Sequence, residues 1–359
     1  MTRNEGDYIR VPVDQVKSIT SRLLQAHGVP GRDADVVAEV LTAADVRGVE
    51  SHGIGRLIPY YLTGLEKGYI KTKPEVKAVR EHGSIFVMDA DNGLGHVACH
   101  RAMKKSIALA EQYGIGMGGV RNSNHFGIAG YYAMMALEEG MIGLCLCNST
   151  PLVLPTYSKK AVLGTNPISF AAPAGKHRPF VLDMATSVVP IGKIQVHRRW
   201  EARVPPQWGA DDMGRPTDDP EEILDGGGLF PLGGPAETSG YKGYGLAAVV
   251  DILSGVLTGA SFLTGVCPGS APRPSQVGQF VAALKPDAFI DPDEFAGKMD
   301  SFIDELKGAP LAEGCDRVFV AGEKEFWQTE ESEREGVAVH GKVWSEIMEV
   351  ARRMKVDTT

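Results

Sequence analysis

The chain has 359 residues, among them 43 glycines and 22 prolines, and a net charge of −8. With hydrophobic residues at 43%, that glycine and proline content excludes a low-complexity chain and indicates a globular one rich in tight turns. The length suits two or three domains and a core that needs no disulfide or metal staple. The acidic balance argues against a general nucleic-acid binder.

Residues 1–10 are polar and lack the apolar run of a secretory signal. The five cysteines are odd in number and form no CxxC pair, which fits a reducing cytoplasm better than a disulfide framework. Val13, Val16, Ile19 and Leu23 recur at helical spacing, and Gly28-Val29-Pro30 stops that helix. Val36, Val37, Val40, Leu41 and Ala44 mark a second helix. Residues 45–57 then break the pattern, polar and punctuated by glycine, before a helix resumes near Leu57 with Tyr60 and Tyr61.

From Ser84 the character changes. A strand is predicted over 85–88 and a helix over 99–113, closed by Gly114. Further strands are predicted at 115–120, 141–147, 168–172 and 180–182, with a helix over 129–139. Short strands with mixed connections point to an α+β fold rather than strict βαβ alternation. Residues 203–235 carry Pro205-Pro206, seven acids between Asp211 and Asp225, and Gly226-Gly227-Gly228, and read as a solvated surface excursion. The longest apolar stretch, 245–266, is interrupted by Asp251, Ser254, Thr258 and Ser261, so it reads as a buried helix over 245–258 and a loop, not a membrane span. An amphipathic helix over 292–307 gathers Phe295, Met299, Phe302, Ile303 and Leu306 on one face, and Val343, Trp344, Ile347, Ala351 and Met354 mark a terminal helix. The helix-rich ends, 1–80 and 291–359, are expected to pack together around a sheet-bearing middle, 81–290.

Several segments carry chemistry. Gly114-x-Gly116-x-x-Gly119 matches the dinucleotide fingerprint as a string, but it follows a helix and enters a strand, the reverse of the Rossmann order. It reads as a helix cap and a glycine strand. His96 and His100, with Cys99 between them, have helical spacing but no third metal ligand nearby, and read as a packed pair. Ser51-His52-Gly53-x-x-Arg56 sets an imidazole four residues from a guanidinium, on one face if helical. The ring can exchange a proton near neutral pH, and the guanidinium can grip a carboxylate through two parallel bonds. Asn122-Ser123-Asn124-His125-Phe126-Gly127 lies between a strand and a helix, a position that often holds site residues. A surface pair and a turn histidine are the alternatives. Asp183, in Leu182-Asp183-Met184-Ala185-Thr186-Ser187, can accept from a ribose hydroxyl or cap a helix. Gly240-Tyr241-Lys242-Gly243-Tyr244-Gly245 opens the apolar helix as an anion site or a flexible loop, and Gly322-Glu323-Lys324 follows a strand-like run.

Taken in order, these segments resemble the type-2 malate/L-lactate dehydrogenase family of nicotinamide-dependent oxidoreductases. Its relatives include ureidoglycolate, sulfolactate and diketogulonate enzymes and a cyclic-imine reductase. The resemblance rests on residues 45–53, 122–127, 164–167, 182–187, 242–246 and 321–323 and covers nearly the whole chain. It implies a non-Rossmann fold with a largely antiparallel or mixed sheet that binds NAD, with NADP possible, and no metal. It implies a homodimer in the cytoplasm acting on a small 2-hydroxy or 2-keto acid, with no nucleic-acid or membrane partner.

By the same resemblance, His125 matches the acid/base of the ureidoglycolate type and His52 the proton donor of the diketogulonate type. Arg56 matches the arginine that holds the substrate carboxylate, with Ser51 and Tyr60 beside it. Ser149, Asp183, Met184, Ala185, Tyr241, Lys242, Gly322, Glu323 and Lys324 match cofactor contacts. Ala321 stands where proline is common. The implied activity is oxidation of a 2-hydroxy acid to a 2-keto acid, of malate or lactate type. Reduction of a cyclic imino acid, a ureidoglycolate- or sulfolactate-type activity, and cofactor binding without turnover are the alternatives.

Overall fold

The computed structural model describes residues 5–268 and 273–358. The strands are β1 (Tyr8–Val11), β2 (Lys77–His82), β3 (Ile85–Asp89), β4 (Ile115–Ser123), β5 (Ile142–Cys147), β6 (Ile168–Ala172), β7 (Phe180–Met184), β8 (Gly209–Ala210), β9 (Gly228–Leu229), β10 (Val277–Leu284) and β11 (Val337–His340). The helices are α1 (Val13–Ala26), α2 (Gly31–Val46), α3 (Thr63–Glu66), α4 (Gly95–Tyr113), α5 (Ala129–Met135), α6 (Ile191–Arg199), α7 (Pro220–Leu224), α8 (Gly240–Asp251), α9 (Pro292–Lys307), α10 (Glu323–Glu335) and α11 (Gly341–Arg353).

Seven strands form the central sheet in the order β2-β3-β4-β10-β5-β6-β7. Only β3 and β4 pair in parallel; every other neighbour is antiparallel. This is the α+β, non-Rossmann arrangement expected. The middle strand, β10, is buried on both sides. Val281 and Ala283 face the core built with α4 and α5, while Phe280 and Ala282 face Val250 of α8. A strand covered on both faces loses the alternation that marks a half-exposed one, which is why the sequence announces no strand over 277–284.

The glycine string at 114–119 is structural. Gly114 adopts φ +81° and caps α4, and a side chain at Gly118 would run into the Phe86 ring, so β4 needs bare backbone here.

A second core joins the two ends of the chain. Val16, Ile19, Leu23, Val37 and Leu41 pack with Val337, Val339, Ile347 and Ala351, and β1 pairs with β11 from Tyr8 opposite His340 to Val11 opposite Val337. The helix α9 departs from that packing. Its Asp300 accepts from the backbone amides of Gly175, Lys176 and His177 in the β6–β7 turn, and its apolar face stays half open, with Phe302 and Leu306 exposed.

Two further expectations change. Residues 203–235 are not a solvated loop: Val204, Ile223 and Leu229 pack with Val153, Leu163 and Ile194 in a small core of their own. Sparse apolar residues among many acids concealed this. The helix expected over 245–258 begins at Gly240 and passes at Ile252 into a π-helical turn ending at Val256. It is also not buried all round. Gly243, Ala247 and Val250 face inward, whereas Leu246, Val249, Ile252 and Val256 are exposed.

Candidate active site

The first histidine segment is held by its own carboxylate. Asp45, in the last turn of α2, accepts from the backbone amide of Ile54 at 2.7 Å, and a Cβ at Gly53 would collide with that carboxylate. Residues 50–56 fold as two short 3₁₀ turns broken at Gly53, not as the single helical face anticipated for His52 and Arg56. The two side chains still converge, because Arg56 Nε turns back to donate to the Ser51 carbonyl at 2.8 Å. Ser51 Oγ lies 2.8 Å from His52 Nδ1. A π-helical turn, Leu57–Leu62, then presents Tyr60 and Tyr61.

The second segment leaves β4 at Ser123. Asn124 is buried and anchors it: its amide donates to Asn92 Oδ1 at 3.0 Å and the Gly93 carbonyl at 2.9 Å, and its Oδ1 accepts from the Ser275 amide at 3.3 Å. His125 follows, and its Nδ1 meets two groups. Tyr61 Oη is 2.6 Å away and the Gly127 amide 3.2 Å away. Gly127 takes φ +80° against Val40, a conformation and a space that glycine alone fills easily.

The two segments meet ring to ring. His52 and His125 stack with centroids 5.4 Å apart and planes 20° off parallel. Tyr60 tilts against His125 at 5.2 Å, its hydroxyl 3.5 Å from Ser275 Oγ. Behind them His96 is fully buried, both nitrogens without a hydrogen-bond partner among the described residues, its ring edge-on to Tyr61 at 4.8 Å. Burial sets the protonation of this cluster. It lowers His52 to about 4, with the Arg56 charge helping, and His96 to about 3. It holds His125 well below the usual histidine value, with His52, His96 and Arg56 adding to the effect. Burial likewise lifts both tyrosines, so the phenols keep their protons.

Of these rings, His52 lines a cavity of about 550 Å³ that runs past Ser51, Gly127 and Thr165 to Asp183, Met184, Ala185, Gly322 and Lys324; His125, Tyr60 and Arg56 stand behind its wall. Asp183 opens onto it while its Oδ2 accepts from the Gly130 amide at 2.7 Å, near the start of α5. Burial pushes that carboxyl up to about 6, against the Gly130 bond and the Arg47 charge. Gly322 takes φ +89° and closes onto Val181, and the Ala321 carbonyl accepts from the Val181 amide at 3.0 Å. Alanine in place of the family's common proline therefore leaves this loop fastened to β7. Ser149 reaches the cavity through Thr165, whose amide donates to Ser149 Oγ at 2.9 Å. The remaining expected cofactor contacts stand elsewhere. Glu323 turns away to Lys307, 2.6 Å, and the Val320 amide, 3.2 Å. Tyr241 and Lys242 lie on the exposed start of α8, outside the cavity wall.

A model of the malate/L-lactate dehydrogenase family matches residues 11–348. The chain belongs to that family. Among its members, a malate dehydrogenase of Pyrococcus abyssi is 45% identical over 353 residues, 98% of this chain and 97% of that one. An L-sulfolactate dehydrogenase of Methanocaldococcus jannaschii is 37% identical, covering 94% and 95% of the two chains. The solved malate dehydrogenase of Pyrococcus horikoshii superposes with a TM-score of 0.90 at 43% identity, covering 98% of this chain and 97% of its own. The dehydrogenase family implies a nicotinamide cofactor and a small acid substrate. No helix among the described residues is long and apolar enough to cross a membrane, and no cluster of metal-ligating side chains occurs among them.

Proposed function

We propose that this protein catalyses the reversible oxidation of a small 2-hydroxy acid of the malate type to its 2-keto acid, with NAD as cofactor. The observation that carries the reading is the stacked His52–His125 pair, of which His52 lines the cavity, with the Arg56 charge acting on both rings. The resident groups fit a nicotinamide dinucleotide. Ile128, Pro167, Val181, Met184 and Ala185 offer apolar walls for flat rings, Asp183 offers an acceptor for a ribose hydroxyl, and Arg47 and Lys324 offer positive charge. When bound, that cofactor supplies the hydride acceptor or donor.

The chain's own residues do the rest. Among the described residues Arg56 spends only Nε, on Ser51, so its terminal amines can hold the substrate carboxylate as a fork. The histidines divide the work. The Gly127 amide can only donate, so His125 Nδ1 is the lone-pair nitrogen and the ring proton sits on Nε2. That N–H donates to the substrate oxygen. His52 faces a serine hydroxyl that can donate or accept, so its proton can sit on either nitrogen. His52 is thus the ring able to take the hydroxyl proton in oxidation and return it in reduction.

The exposed apolar face of α8 supports a homodimer. Tyr241, Tyr244, Leu246 and Val249, with Ile252 just beyond the helix, are large apolar side chains left exposed within twelve residues, as a contact surface between copies would leave them in a single chain. The cysteine thiols, with Cys99 and Cys145 Sγ unbonded at 3.9 Å, support a cytoplasmic setting.

The deciding assay follows NADH and NADPH consumption with oxaloacetate, pyruvate, sulfopyruvate and a cyclic imino acid. Turnover of oxaloacetate with NADH is expected to lead. Tight NADH binding without turnover across the panel would overturn the reading.

A further inference from the structure

Arg47 lines the cavity without a role in the proton chemistry. It follows α2 directly, with its guanidinium 5.0 Å from the centroid of the Phe326 ring. Its side chain makes no hydrogen bond or ion pair with any described residue. Asp183 and Glu325 are close enough to act on it electrostatically, yet neither closes a salt bridge, and Asp183 is already engaged by the Gly130 amide. A half-buried cation with all its donors idle is unfavourable, and stacking on Phe326 offsets only part of that. Lys324 stands on the same cavity wall, 4.3 Å from the centroid of the Phe319 ring and without a carboxylate partner among the described residues. Both cations share the cavity wall with the carboxylates of Asp183 and Glu325, yet neither is drawn into an ion pair with them, which leaves their donors open to an anion that a ligand brings.

We propose that Arg47 grips the diphosphate bridge of the dinucleotide through a two-pronged hydrogen bond, with Lys324 as the second cation. This rests on the reading of the cavity as a nicotinamide dinucleotide site. Position in the chain favours the bridge over a phosphate on the far ribose. Arg47 precedes Ser51 and His52 by only four and five residues, and it faces Asp183, which is bound to Gly130 just beyond the His125–Gly127 turn. It therefore stands between the histidine end and the Gly322–Lys324 end, with Phe326 and Glu325 beside it, where a bridge between two nucleosides would lie.

The test compares the wild type with Arg47→Met and Arg47→Lys. NADH, NADPH, ADP-ribose and adenosine are each titrated by calorimetry at two salt concentrations. In Arg47→Met, NADH and ADP-ribose are expected to weaken roughly 10- to 100-fold, the range of a charge-assisted pair of bonds. Adenosine, which has no phosphate, should bind as before, and the salt dependence of ADP-ribose binding should flatten. Arg47→Lys, which keeps the charge without the fork, should fall between and serves if the methionine variant does not fold. The melting temperature of Arg47→Met should hold or rise, because an unpartnered charge has been removed. Unchanged ADP-ribose affinity would overturn the proposal, as would a loss confined to NADPH, which would place Arg47 on the 2′-phosphate. A wild type that binds no dinucleotide would instead refute the underlying reading of the cavity, and the inference with it.

Discussion

Tyr61→Phe isolates the group that fixes the His125 ring. The tyrosine is fully buried and its hydroxyl lies 2.6 Å from Nδ1. Removing one oxygen changes volume little and leaves the Gly127 amide as the remaining donor at 3.2 Å. The loss is therefore one buried hydrogen bond with partial compensation, about 1–1.5 kcal/mol. Because Tyr61 donates to Nδ1, it favours the neutral ring over the protonated one, which has no lone pair there. Without it the His125 value should climb. The wild-type ring is held well below the ordinary histidine value, so it stays neutral into acid. In Tyr61→Phe the His125 ring should protonate at higher pH than in the wild type, and kcat should fall roughly 5- to 15-fold. Ring-proton NMR titration of His125 and initial rates at saturating cofactor measure the two, and NADH affinity at neutral pH should not change. A His125 titration that stays put or moves down would refute the assignment of Tyr61 as donor and of Nε2 as the protonated nitrogen.

Three further outcomes are expected. Arg56→Lys replaces a planar fork with a point charge, so KM for the acid should rise about tenfold with kcat little changed, and an unchanged KM would reject the clamp. Asp183 has its carboxyl raised to about 6, with Arg47 and Glu325 acting on it. It accepts from a ribose hydroxyl best as the anion, so NADH affinity should weaken as pH falls through about 6. That step should vanish in Asp183→Asn, and a step that persists there belongs to another group. Charging the open face of α8 with Leu246→Glu and Val249→Asp together should convert the protein to a monomer by sedimentation; an unaltered mass would exclude that face as the contact.

Most of this architecture was legible because helices advertise themselves. The spacing of Val13, Val16, Ile19 and Leu23 and the amphipathic run of α11 have one covered side each, and periodicity reports that directly. The strand β10 did not, since burial on both faces leaves a continuous apolar run that also suits a helix. The site divides in the same way. Ser51, His52, Arg56 and His125 stood out through polar, glycine-bounded motifs. Tyr61 gave no signal, because a core tyrosine and a tyrosine that orients a histidine look alike until the distance is known. Arg47 lay inside the 45–53 motif, but its idle donors are a fact of packing. Tyr241 and Lys242 show the reverse case, where a motif match placed two residues that the fold of one chain leaves outside the cavity.

The core that joins β11 and α11 to the first two helices bears on how the cavity can be damaged from a distance. The turns that carry Ser51, His52 and Arg56 rest on helices whose apolar faces are completed by β11 and α11. His125 and Asp183 belong to the sheet and its own core, whereas the arginine and its neighbouring imidazole stand on this second platform. Loosening Ile347 or Ala351 would therefore unsettle one half of the site and leave the other in place. The helix α11, which contributes nothing to the cavity wall, thus sets the footing of the residues that grip the acid.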